Sequence, residues 1–191
     1  MRRIGIVLAI LIVSMGCAST RGSIHGVYRD ANMDFGQIQN VAVMPFANLS
    51  RDSNAAERVR GVFMTMLLAS QSIYVVPPGE VSRGISRAGI QTPTAPAADD
   101  VIKFASIVKS DAVITGTVQE YGDVRSGTAL ATVISLQLEM IETHTGKVVW
   151  AASSTRGGVT MTDRLFGGGG EPMNVVTEKA VEDLLDKLFG N

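Results

Sequence analysis

Five features of this 191-residue chain could carry chemistry: His25, His144, the lone Cys17, the pair Asp99-Asp100 and the run Gly167-Gly168-Gly169-Gly170. An imidazole that acts as a base or holds a metal needs partners clustered around it. His25 sits in a segment with no apolar periodicity, and His144 in the polar turn Thr143-His144-Thr145-Gly146. No spacing brings a nucleophile or further ligands to either, so no catalytic residue, no metal site and no cofactor is expected. The four glycines precede a helical pattern as a phosphate cradle would. A P-loop continues with Gly-Lys-Ser/Thr, whereas Glu171-Pro172 follows here and Glu171 would repel a phosphate. Asp99 and Asp100 are adjacent at a helix start, where their charge favours the helix dipole. The chain therefore reads as a non-enzyme.

Cys17 has a different context. Arg2 and Arg3 precede an apolar run from Ile4 to Val13, which ends in Ser14-Met15-Gly16-Cys17. A charged start, a short apolar stretch and a small residue before the cut make a secretory signal peptide over residues 1–16. The run is too short for a permanent span, which needs about 20 apolar residues. A single thiol in an oxidising compartment would have no partner. The block before Cys17 resembles a bacterial lipoprotein signal. That resemblance implies cleavage before Cys17, a diacylated thiol and a fatty acyl chain such as palmitate on the new amino terminus. Ser14 stands where the commonest form has Leu. Ala18 and Ser19, with no Asp after the cysteine, imply by the same resemblance an outer-membrane, periplasm-facing address.

Residues 17–36 then read as the lipidated cysteine and a tether, rich in Ser, Thr and Gly. Twenty residues reach at most about 65–70 Å, which keeps a domain over residues 37–191 near its membrane. Without Arg2 and Arg3 there are 15 basic and 18 acidic residues, a formal charge of −3. No basic patch argues for nucleic acid. Hydrophobic residues make up 46 % of the chain, enough for one core closed by packing alone.

The elements follow from periodicity. Asn40–Phe46 reads as a strand buried on both faces, stopped by Pro45, which cannot donate to a ladder. Val59, Val62, Phe63, Met66 and Leu67 recur at helical spacing. Ile73–Val76 is a short strand ended by Pro77-Pro78. Helices follow over Glu80–Ala88, stopped by Gly89, and Ala98–Lys109. Asp111–Tyr121 is a strand and Gly122–Gly127 a turn. Ala129–Glu142 alternates Ile134, Leu136, Leu138 and Met140 on one face with Ser135, Gln137 and Glu139 on the other. The second face meets water or another subunit, so Gln137 and Glu139 are candidate contact residues. A hairpin turn at Thr143–Gly146 leads into the strand Lys147–Ser154, and Met173–Phe189 is the last helix. The order is β-α-β-α-α-β-β-β-α, an α/β fold with a mixed sheet packed with helices. In the glycine-rich segment 156–172, Met161, Leu165 and Phe166 either fold back on the sheet edge or contact a partner or the bilayer.

Three blocks carry a further resemblance: Val41-Ala42-Val43-Met44-Pro45-Phe46-Ala47-Asn48, the strand from Asp111 to Tyr121, and Thr145-Gly146-Lys147-Val148-Val149-Trp150. Together they resemble lipoproteins of the curli-secretion (CsgG-like) and penicillin-binding-protein-activator (LpoB-like) superfamily. The implied fold is similar to the amino-terminal domain of TolB, and members are not enzymes. The expectation is a lipid-anchored outer-membrane protein that binds other envelope proteins in envelope assembly, export or cell-wall synthesis. Homo-oligomerisation rests on the resemblance alone. Neither segment 122–127 nor 156–172 holds an alternating strand pair of barrel length, and the tether is short for reaching through peptidoglycan. Two rival readings are a subunit of a CsgG-like secretion channel and a small-ligand or glycan-binding periplasmic module.

Overall fold

The apolar Asn40–Val43 strand (β2) is packed on both faces, as its near-continuous apolar run requires. The computed structural model describes residues 26–126, 129–158 and 170–190. Cys17, the expected signal peptide, and Met161, Leu165 and Phe166 lie outside the described residues. The elements in order are β1 (Val27–Arg29), a 3-10 turn (Phe35–Gln37), β2, β3 (Ala47–Asn48) and α1 (Ala55–Ala69). Then come β4 (Tyr74–Val75), α2 (Pro78–Ala88), α3 (Ala98–Val108), β5 (Ala112–Ser126), β6 (Ala129–Glu142), β7 (Val148–Gly157) and α4 (Met173–Phe189). The sheet order is β1-β7-β6-β5-β2-β4, with β3 also paired to β5. Strands joined through helices are parallel, β2 to β4 and β2 to β5. The β5-β6-β7 meander is antiparallel. The mixed α/β fold is therefore the expected one.

Two helix pairs cover the sheet. On one face α1 and α4 bury Val59, Phe63, Leu67, Val176, Ala180, Val181 and Leu184 against Val41, Val43, Ile114, Ile134, Leu136 and Leu138. Trp150 is fully buried there, and its indole N–H donates to the Lys187 carbonyl at 3.2 Å. On the other face α2 and α3 set Val81, Ala88, Val101 and Phe104 on Ala42, Met44, Val113 and Ile141. Pro78 opens α2 at a first-turn position and Gly89 closes it with φ +73°, the Pro-start and Gly-stop chemistry read from the sequence.

Pro45 ends the β2 ladder, and a buried cation takes over its carbonyls. Arg60 of α1 donates from Nε to the Met44 carbonyl at 2.9 Å and from Nη2 to that of Val43 at 2.8 Å. Desolvation lowers the Arg60 pKa, with Glu57 opposing, and the group stays charged at neutral pH.

Two expectations are corrected. The tether was expected to run to residue 36, but Val27–Arg29 pairs antiparallel with β7 as an edge strand. Arg29 fixes it, donating to the Leu188 carbonyl at 2.8 Å and lying 3.8 Å over the Phe35 ring. The span 122–127 was expected to be a turn, but β5 runs through to Ser126, paired with β6 as far as Ala129. A register shift between Val118 and Glu120 hides the continuation from the sequence pattern. One inserted residue exchanges the two faces and breaks the alternation.

Candidate interaction surface

The helices leave part of the sheet bare. α2 and α3 cover β2, the start of β5 and Ile141 at the end of β6, so the rest of that face of β5, β6, β7 and β1 carries no second layer among the described residues. Cross-strand register arranges its side chains in rows. Tyr28, Ala151, Glu139 and Thr115 form one row, and Ser153, Gln137 and Thr117 the next. Thr155 and Ser135 begin a third, beside the bulged Gln119.

A hydrogen-bond chain crosses these rows. Ser135 Oγ lies 3.0 Å from Thr155 Oγ1 and donates to Gln119 Oε1 at 3.1 Å. Gln119 Nε2 donates to Gln137 Oε1 at 3.3 Å, and Gln137 Nε2 donates to Glu139 Oε1 at 3.3 Å. The donors all run toward one carboxylate, which ends the chain as an acceptor. Gln137 and Glu139 are half-buried although no helix among the described residues covers them. The loop at Thr94 and Pro96 walls one side, making a shallow groove of about 270 Å³ over Thr115, Thr117, Gln137 and Glu139. Such a face is wettable, nearly neutral and preorganised, suited to a polar protein surface rather than to an apolar ligand.

A second, wider groove of about 830 Å³ lies beside the outer half of β5, where Leu49, Arg51 and Arg58 face Glu120, Tyr121 and Asp123. Its polar residues are partly engaged with one another: Arg58 pairs with Asp52 at 2.9 Å. Pairing of β5 with β3 ends at Val118, so this stretch is an open sheet edge among the described residues. Asp123 and Arg125 on it are the kind of charges that discourage edge-to-edge association.

The sequence's other candidates occupy structural positions. His144 is exposed at the β6–β7 turn. Its backbone N–H and that of Thr145 donate to the Glu142 carboxylate, and Thr145 Oγ1 donates to Oε2 at 2.6 Å. Burial of Glu142 works against its charge, but these hydrogen bonds outweigh it and hold the pKa below the usual carboxylate range. Asp99 and Asp100 sit in the first turn of α3. Among the described residues no group of three or more His, Cys, Asp or Glu could hold a metal. Gln137 and Glu139 lie at the centre of the bare face, where alternation put them. Thr115, Ser153 and Thr155 join them; their only signal is register, which a single strand does not carry.

A family model described as Putative lipoprotein GNA1162-like matches residues 31–188. Lipoprotein GNA1162 from Neisseria meningitidis is similar in structure, with a TM-score of 0.55 at 20 % identity, over 80 % of this chain and 99 % of that one. So is a PelC dodecamer from Paraburkholderia phytofirmans, with a TM-score of 0.58 at 18 % identity, over 85 % of this chain and 96 % of that one. The LpoB C-terminal domain from Salmonella enterica aligns at a TM-score of 0.49 and 15 % identity, over 66 % of this chain and 86 % of that one. No match is found among curated proteins. At these identities the likeness to GNA1162 and PelC is one of fold.

Proposed function

The chain belongs to the GNA1162-like family, and on that premise we propose a non-catalytic envelope lipoprotein, held in the outer membrane through acylated Cys17, that works by binding other envelope proteins. Envelope assembly, export and cell-wall synthesis are the processes such a binder would serve. The observation that carries the reading is the bare sheet face around Gln137 and Glu139. Among the described residues, helices pack on the rest of the sheet and leave this one polar, hydrogen-bonded surface uncovered, and such a surface needs water or a protein against it.

The partner set includes further copies of the chain. PelC is described as a dodecamer, and a shared fold makes self-assembly the first partner to test. A photo-crosslinking residue at Gln137, in the full chain at native expression, should capture envelope proteins or a second copy. The same residue at exposed Lys147, in the β6–β7 turn at one end of the sheet, should capture markedly less. Recovery of monomer only from Gln137 would overturn the proposal.

A further inference from the structure

The β5–β6 hairpin tip and the amino-terminal end of β1 point in the same direction. β1 pairs Val27 with Ala152 and Arg29 with Trp150, while β7 runs toward the hairpin tip as it passes from Trp150 to Gly157. The amino-terminal end of β1, at Gly26, therefore points toward the tip. Gly26 is level with Ser153, whose N–H donates to its carbonyl at 3.0 Å, and Ser153 is level with Gln137. Leu130 lies seven residues farther along β6, about 23 Å at the rise of a strand. Cys17 lies nine residues before Gly26, at most about 32 Å away in any conformation. A bilayer attached at Cys17 thus stands no more than about 9 Å beyond the tip when the chain is fully drawn out along the hairpin. When the chain runs along the hairpin but is less than fully drawn out, the bilayer meets the tip first.

The tip is suited to that meeting. Val124 is 38 % exposed and Leu130 45 % exposed. The register shift puts them on opposite faces, since Val124 pairs with Ala131 while Leu130 pairs with Arg125. An apolar residue on each side favours end-on contact over lying flat. Arg125 supplies a long stem with a charged head that can stay among headgroups. Asp123, which accepts from Thr132 Oγ1 at 3.2 Å, offsets its charge, so the contact does not depend on anionic lipid.

We propose that the β5–β6 tip, through Val124 and Leu130, is a second membrane contact that docks on the bilayer holding Cys17 and sets the domain upright on it. This rests on the lipid-anchor reading, and the test separates the two. The full chain purified from cells is examined by mass spectrometry of its Cys17 peptide and by flotation with vesicles of phosphatidylethanolamine and phosphatidylglycerol. The chain from residue 17 onward is coupled at its single thiol to a lipid maleimide and placed on the same vesicles.

Amide hydrogen exchange is the readout. Gly158 and Gly170 donate to the carbonyls of Thr132 and Leu130, so those residues face away from β5. By alternation the N–H groups of Tyr121, Asp123 and Arg125 face away from β6 and exchange quickly in the free protein. On vesicles the coupled protein should exchange at these amides several-fold more slowly, with Thr143–Lys147 unchanged. The double variant Val124→Ser, Leu130→Ser should float equally well and lose the slowing. Unchanged exchange at the tip of the floated, coupled protein overturns the proposal. An unmodified Cys17 in cells overturns the anchor reading, while the coupled protein still decides the docking geometry.

Discussion

Arg60 is the buried charge on which the end of β2 depends. Its two hydrogen bonds satisfy carbonyls that Pro45 leaves at the end of a ladder. Arg60→Met keeps the apolar stem and removes both donors. It should cost about 2–4 kcal/mol, read as a lower urea midpoint with an unchanged slope, using the fluorescence of Trp150. Glu142 makes a pH-dependent contribution. Its folded pKa lies below the unfolded value, so its stabilisation is complete above about pH 4.3, the ordinary Glu value, and is lost as pH falls through the folded pKa. Thr145→Val removes the hydroxyl donor. The variant should be about 1–2 kcal/mol less stable at pH 7, with the gap closing as the pH drops below the folded value. Urea midpoints at several pH values check both the size and the sign. The depth of this arginine follows from its place on α1, one turn before the buried Phe63 and Met64. What it bonds to does not, because its acceptors belong to a strand sixteen and seventeen residues away.

The regular elements were legible where one element sufficed to define its own pattern. Val59, Phe63 and Leu67 mark the inner face of α1, and Gly146, at φ +69°, marks the β6–β7 turn. The failures lie where definition is shared. β1 is three residues long and is held by backbone pairing to β7 and by Arg29, so its own side chains carry no period. The β5 extension was hidden by a bulge whose only trace is a slipped alternation at Gln119. The bare face was half visible: Ser135, Gln137 and Glu139 alternate plainly, but nothing in β6 says that α2 and α3 sit over β2 and the start of β5 instead. Gly157 shows how tightly the hairpin base is joined. At φ +85°, an added Cβ would come 2.0 Å from the Thr132 carbonyl oxygen. Gly157→Ala should therefore cost more than about 2 kcal/mol and raise exchange first at Leu130–Val133, measured by native-state hydrogen exchange.

For the whole molecule, the described fold closes without Cys17. Cys17→Ala should give a folded domain with an unchanged melting temperature that leaves the membrane fraction for the soluble one, since one weak contact does not replace acyl chains. Centrifugal fractionation and thermal melts of the two proteins check this together. The position of β1 has a mechanical consequence. Tension applied at Gly26 from the tip side would run along the strand axis. It loads the Gly26 carbonyl, the β1–β7 rungs and the Asp30 N–H bond to Val149 at once, in shear, rather than peeling them one after another. A three-residue strand loaded in this way resists as a unit, a strain relief for the core, and Arg29, pinned to the last turn of α4, is its rivet.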